Sequence, residues 1–129
     1  LQGEHWKEFC HQLHHVKFPI REPVKADPAR ALFATAVFTR TRYCTSDGLF
    51  NWAVRTGESS NYRDRPWYAI KHLKWSRQCH VVYGHWAAKG LMVDRPHVLG
   101  LDSGCVWGNQ LTLAKLKKGG KMKIVAQVS

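Results

Sequence analysis

Acidic side chains are scarce in this sequence: 9 Asp and Glu stand against 20 Lys and Arg, a formal net charge of +11 over 129 residues. A surplus that large favours anionic partners such as nucleic acid, nucleotides, polyphosphate or a membrane surface, without choosing among them. Cysteine is also sparse. Cys10, Cys44, Cys79 and Cys105 are far apart and form no C-x-x-C pair, which excludes a zinc ribbon and a dense disulfide framework. Free thiols in a reducing cytoplasm are expected instead. Long apolar runs are missing too. The longest, from Ala31 to Phe38, is far too short to span a bilayer. The opening residues, Leu-Gln-Gly-Glu-His-Trp-Lys, carry charges where a signal peptide needs an apolar segment. The first residue is not Met, and the chain is read as a fragment.

Several catalytic signatures are absent. A cysteine phosphatase needs an arginine six positions after its nucleophile. Those positions hold Val16, Phe50, His85 and Leu111. The Gly119-Gly120-Lys121-Met122 string lacks the earlier glycine and the following Ser or Thr of a P-loop. No G-x-S-x-G elbow occurs. No evident motif places a pair of carboxylates for acid/base work, and Asp102 alone sits in a site-like turn.

Hydrophobic residues make up 44% of the sequence, enough for a core, and no segment has low-complexity bias. Trp6, Phe9, Cys10, Leu13 and Val16 recur at helical spacing, predicting a helix over 3–15. Pro19 and Pro23 prevent its continuation. Asp27-Pro28 is a good helix start, so a second helix is expected over about 28–42. Asp47-Gly48 marks a turn before a strand at 49–54. The polar stretch 55–66 reads as a loop within one domain. The last third is β-rich, with strands expected at 79–83, 97–101, 110–116 and 121–128. The last two flank Lys117-Lys118-Gly119-Gly120 as a hairpin.

Three strings carry chemistry. In Val81-Val82-Tyr83-Gly84-His85-Trp86 an apolar strand delivers a histidine after a glycine at its C-terminal end, where α/β folds hold ligands and metals. Taken alone, a turn histidine bonded to backbone is the commoner use. Gly100-Leu101-Asp102-Ser103-Gly104-Cys105-Val106-Trp107-Gly108 reads as a strand, a tight turn and a return to strand. It could wall a phosphate site with backbone N–H groups or be a plain sheet corner. Arg40 and Arg42 end the second helix, where cations suit the dipole, and at that spacing they point to different sides. His11 and His15 could share a metal, but the intervening Gln12, Leu13 and His14 lack the glutamate of H-E-x-x-H. A solvated helix face is the better reading.

Taken together, VFTRTRYC, RPWYAI, VVYGHWAAKGL and GLDSGCVWGNQLT resemble, in order and spacing, the C-terminal half of bacterial symmetrical diadenosine tetraphosphate hydrolases. WKEFCHQL fits the helical segment before them, so the resemblance covers nearly the whole chain. Ser103 and Asn109 depart from it, where the family usually has Thr and Gly. Asn109 is expected to tolerate left-handed geometry.

The resemblance implies membership of the calcineurin-like metallophosphoesterases: an α/β (α+β) fold, the C-terminal portion of a four-layer α-β-β-α sandwich, here as a single incomplete domain over 1–129. It implies two divalent ions, Mn, Co or Mg, held mainly by three N-terminal motifs that would precede Leu1. Only the final G-H remains, as Gly84-His85, which makes His85 a metal ligand. The implied reaction is hydrolysis of diadenosine 5′,5‴-tetraphosphate to two ADP by a metal-activated hydroxide. Arg40, Arg42, Trp86, Asp102 and Tyr68 are the candidate substrate-binding residues: arginine forks suit phosphate, and Trp86, Tyr68 or Trp107 could stack on adenine. For Trp107 core packing ranks first. The implied partner is a dinucleoside polyphosphate, with no membrane and no specific nucleic acid, in the cytoplasm. Most metal donors are missing, so the chain alone is expected to be inactive. Two other readings remain open. One is the protein phosphatase branch of the same fold. The other is a basic nucleic-acid-binding module, which the charge and the 6 Trp, 4 Tyr and 5 Phe permit.

Overall fold

A computed structural model describes residues 5–19, 21–24, 28–55, 57–70, 78–95, 97–119 and 121–129. They belong to two compact units, Leu1–Ile70 and Lys71–Ser129, and mix two helices with short, largely antiparallel strands, an α+β composition.

In the first unit, α1 (Trp6–His15) and α2 (Pro28–Arg40) pack together. The expected cap at Asp27 and the helix start at Gly3 lie outside the described residues. Of the apolar stripe on α1, Phe9 and Leu13 turn inward onto Phe18, Leu32 and Ala36, with Trp52 completing the cluster. Trp6 and Val16, at the two ends, stay about half exposed. Each large side chain buried there is worth roughly 1.5–3 kcal/mol. Trp52 fixes the irregular segment after α1: its Nε1–H donates to the Pro19 carbonyl at 2.8 Å, and its ring stacks on Phe50 at 5.0 Å and 12°.

The second helix ends at Arg40, two residues earlier than its sequence predicts. Tyr43–Thr45 leaves the helix as a strand, β1, and pairs antiparallel with β2 (Phe50–Asn51) and β3 (Asp64–Pro66) in the order β2-β1-β3. Asp47-Gly48 therefore turns between two strands and not between helix and strand. Gly48 takes φ 83°, and Thr45 and Leu49 close the turn by hydrogen bonding. The loop expected over 55–66 ends in β3, where Thr45 faces Asp64 and Tyr43 faces Pro66. Proline is tolerated there because β3 is an edge strand.

In the second unit, β4 (Val81–Tyr83), β5 (Met92–Arg95) and β6 (Val98–Gly100) form a sheet in the order β4-β6-β5. β4 runs parallel to β6, with Tyr83 opposite Gly100, and β5 runs antiparallel to it. Val98, Leu99 and Trp86 are buried. The terminal hairpin is as its sequence predicts: β7 (Leu111–Leu116) pairs with β8 (Met122–Val128), with a bulge between Leu113 and Ala114. No helix among the described residues is long and apolar enough to cross a membrane.

Candidate functional site

Parallel pairing sends both strands out of the sheet at the same edge. After Tyr83 comes Gly84-His85, and after Gly100 comes the turn 101–105. A hydrogen bond from Leu101 N–H to the Tyr83 carbonyl, 2.9 Å, joins the two exits. Between them lies a cleft of about 420 Å³ lined by Tyr83, Gly84, Leu101, Asp102, Ser103 and Gly104, among others. The two strings singled out in the sequence are thus neighbours in space.

The local backbone differs from the expected one. Gly84 does not supply the turn. His85 itself takes φ 62°, the one non-glycine residue at positive φ among the described residues. A left-handed L-residue costs about 1–2 kcal/mol, and such strain concentrates at functional sites. The imidazole is exposed, one residue beyond the glycine that lines the cleft.

The second exit does not return to strand. Gly104 and Gly108 are both left-handed, at φ 78° and 82°, and bracket a single 3₁₀ turn, Cys105–Trp107. Trp107 and Asn109 both donate their N–H to the Gly104 carbonyl. The left-handed geometry that Asn109 could tolerate is not required of it, because Gly108 carries that conformation. The Asp102 carboxylate accepts the Gly104 N–H at 3.1 Å. The Ser103 hydroxyl donates to the Gln110 carbonyl at 2.6 Å and lies 2.6 Å from the Thr112 hydroxyl. Asp102 and Ser103 therefore hold the shape of the cleft wall.

The two tryptophans have exchanged the expected settings. Trp86 is 3% exposed and packed in the interior, with Lys89 Nζ 5.7 Å above its ring, so in this conformation it offers no open face to a base. Trp107 is 77% exposed, on the tip of the 3₁₀ turn.

Arg40, Arg42 and Tyr68 lie in the first unit. Arg40 sits over the Phe18 ring at 5.6 Å. Arg42 leans back toward the Arg40 carbonyl at 3.4 Å. Burial, and then the nearby Arg55, lower its pKa. Its carbonyl accepts the Trp67 N–H at 3.0 Å, fixing the 3₁₀ turn Trp67–Ala69 on which Tyr68 packs edge-on against Trp67. The helix ends at Arg40, so the helical spacing argument for the two arginines does not reach Arg42.

One polar group escaped sequence reading. Asp64 is buried at 6% exposure. Its Oδ2 accepts hydrogen bonds from Asn51 Nδ2, 2.6 Å, and from the Ser59 hydroxyl, while Oδ1 has no hydrogen-bond partner among the described residues. Nothing in the polar string from Arg55 to Pro66 marks Asp64 for burial. Cys44, beside it, has its thiol pushed up to about 11, chiefly by burial and then by the Asp64 charge.

Among the described residues no three His, Cys, Asp or Glu side chains converge to hold a metal ion. A two-ion centre needs about three protein ligands per metal, so these residues on their own do not fit one.

No family model matches the sequence. Individual proteins do match. A symmetrical bis(5′-nucleosyl)-tetraphosphatase of Pseudomonas fluorescens is 38% identical over 76% of this chain and 36% of its own length. The protein of that name from Paraburkholderia phymatum is 34% identical over 99% of this chain and 45% of its own length. That from Burkholderia thailandensis is 41% identical over 81% and 36%. The chain thus spans less than half the length of the curated relatives it matches. Relationship along almost the whole chain, at these identities, means that it belongs to the symmetrical bis(5′-nucleosyl)-tetraphosphatase family, as a C-terminal part of that sequence type.

Proposed function

We propose that the protein containing this chain is a hydrolase that cleaves diadenosine 5′,5‴-tetraphosphate into two ADP, and that this chain supplies one wall of its site. The observation that carries the reading is the sequence relationship to tetraphosphatases over 76–99% of the chain. The strained, exposed His85 at the shared exit of β4 and β6 supports it locally.

In this reading the complete domain is a four-layer metallophosphoesterase sandwich working in the cytoplasm, and its partner is a dinucleoside polyphosphate. Its centre takes two divalent ions, Mn, Co or Mg, which supply an activated water and charge neutralisation when bound. His85 contributes one neutral imidazole, and the remaining donors come from polypeptide outside these 129 residues. Asp102 and Ser103 keep the cleft wall in shape through their backbone hydrogen bonds. Arg40 or Arg42 balances phosphate charge. Tyr68 is a candidate to stack on adenine. Trp86 can do so only after leaving its present burial.

The test has two arms. The purified 129-residue chain with Mn²⁺ or Co²⁺ should release no ADP from diadenosine tetraphosphate. Co-expression with a polypeptide carrying the three N-terminal metal motifs should restore release, and His85→Ala should abolish the restored activity. ADP release by the chain alone would overturn the reading that its donor set is incomplete, and full activity of the co-expressed His85→Ala protein would overturn the assignment of His85.

A further inference from the structure

We propose that the second unit carries another ligand site, suited to a small nucleoside phosphate, at the end of the parallel pair opposite His85. The strand pairing puts its parts in place. Val81 N–H donates to the His97 carbonyl at 2.9 Å, which fixes His80 where β4 begins. Arg95 pairs with Val98, the first residue of β6, so it reaches the same edge. The tip of the β7–β8 hairpin closes the third side. Gly119 is left-handed at φ 79°, and the Lys117 N–H donates to the Lys121 carbonyl at 2.7 Å, which sets Lys121 at the rim.

The open cleft measures about 470 Å³, within the range that holds a nucleotide-sized ligand. Its lining divides by chemistry. His80, Arg95 and Lys121 supply nitrogen donors, while Val93, Leu99, Met122 and Ile124 supply an apolar surface. No carboxylate lines it among the described residues. A guanidinium fork and an ammonium together match a phosphate. A purely apolar ligand would leave those nitrogen donors unused. Inorganic phosphate alone would leave the apolar surface in water. A ligand with a phosphate at one end and a flat, weakly polar ring at the other satisfies both halves. The site lies at the opposite end of β4 and β6 from Gly84 and Asp102, so it does not rest on the proposed hydrolase activity.

The probe is AMP, titrated into the ¹⁵N-labelled 129-residue chain. Amide shifts are expected at Val93, Leu99, Gly119, Met122 and Ile124. Arg95→Glu and Lys121→Glu should each weaken binding at least tenfold. Lys117→Glu, the same charge change on the same hairpin but outside the cleft, should weaken it less than threefold. Shifts confined to residues 84–86 and 101–105, or no shifts at millimolar AMP, overturn the proposal. So does equal loss in all three variants, which marks a bulk-charge effect, or equally tight binding of inorganic phosphate, which removes the need for a ring. The shift map on the unsubstituted chain decides the location even where a variant does not fold.

Discussion

Gly100→Ala probes whether the cleft edge is as tightly built as the structure describes. Gly100 is buried in β6 opposite Tyr83. A Cβ placed there would lie 2.7 Å from Tyr83 Cζ and Oη and 3.1 Å from Cε1. The first two distances are closer than packed atoms tolerate, so the half-buried tyrosine ring must swing away. Overpacking of this kind costs about 1–3 kcal/mol. Removing glycine from a strand returns about 0.5–1 kcal/mol through the unfolded chain. The net expectation is a loss of up to about 2.5 kcal/mol. Because the clash is with one side chain, Tyr83→Ala should remove it, leaving Gly100→Ala neutral or slightly stabilising in that background. The double-mutant cycle should return a coupling of about 1–3 kcal/mol. Native-state hydrogen exchange of the Val81 and Leu101 amides, both bonded across β4 and β6, reads this sheet alone. A loss of about 1.4 kcal/mol appears there as tenfold faster exchange. If Gly100→Ala is equally harmful with and without the tyrosine ring, the close approach does not exist.

Two other perturbations test the turn geometry and the buried thiol. Gly108→Ala should cost about 1 kcal/mol from its left-handed backbone alone, since nothing lies within 4 Å of an added Cβ. Gly104→Ala should cost more, because that Cβ would also meet Asn109 Nδ2 at 2.9 Å; urea midpoints that rank the pair the other way would contradict this turn geometry. Cys44 should resist alkylation at pH 8 while the exposed Cys79 and Cys105 react. Its thiol is raised from an ordinary 9.0 to about 11, so between those values the unfolded chain releases a proton that the folded chain retains. Stability should therefore fall as pH rises from about 9 to 11, and Cys44→Ala should flatten that fall.

The features readable in the sequence were local ones. The β7–β8 hairpin announces itself because its turn carries two glycines between apolar strands, and α1 because its apolar residues keep helical spacing. The strands that were missed have no such internal signal. Tyr43–Thr45 comes after α2 without a breaker. Asp64–Pro66 is polar, and it becomes a strand only because β1 offers it a partner. Met92–Arg95 is short and charged, and its register depends on β6. The candidate site shows the same division. Gly84-His85 and Asp102–Gly104 are visible as strand ends. That His85, not Gly84, bears the unusual backbone angle has no counterpart in the sequence pattern. The burial of Asp64 depends on Asn51 and Ser59, residues on other segments. The reversal of Trp86 and Trp107 is likewise tertiary: both lie within three residues of a glycine, and only packing distinguishes them.

The cleft edge is largely a property of residues 81–112, and that bears on how a partial chain can carry part of a site. Had β4 and β6 paired antiparallel, Gly84-His85 and Asp102-Ser103 would leave the sheet at opposite ends. Parallel pairing with Tyr83 opposite Gly100 makes them neighbours. The hydrogen bonds that set each exit, from Leu101 to Tyr83, Gly104 to Asp102 and Ser103 to Gln110, all fall inside that stretch. The strain at His85 must be held by the same short region, since a left-handed histidine relaxes unless its surroundings over-determine it. Relaxing the edge by Gly100→Ala should therefore reach His85, moving its backbone resonances as well as those of Tyr83. An unmoved His85 in that variant would mean that its backbone angle is fixed by the Ala87–Lys89 turn alone.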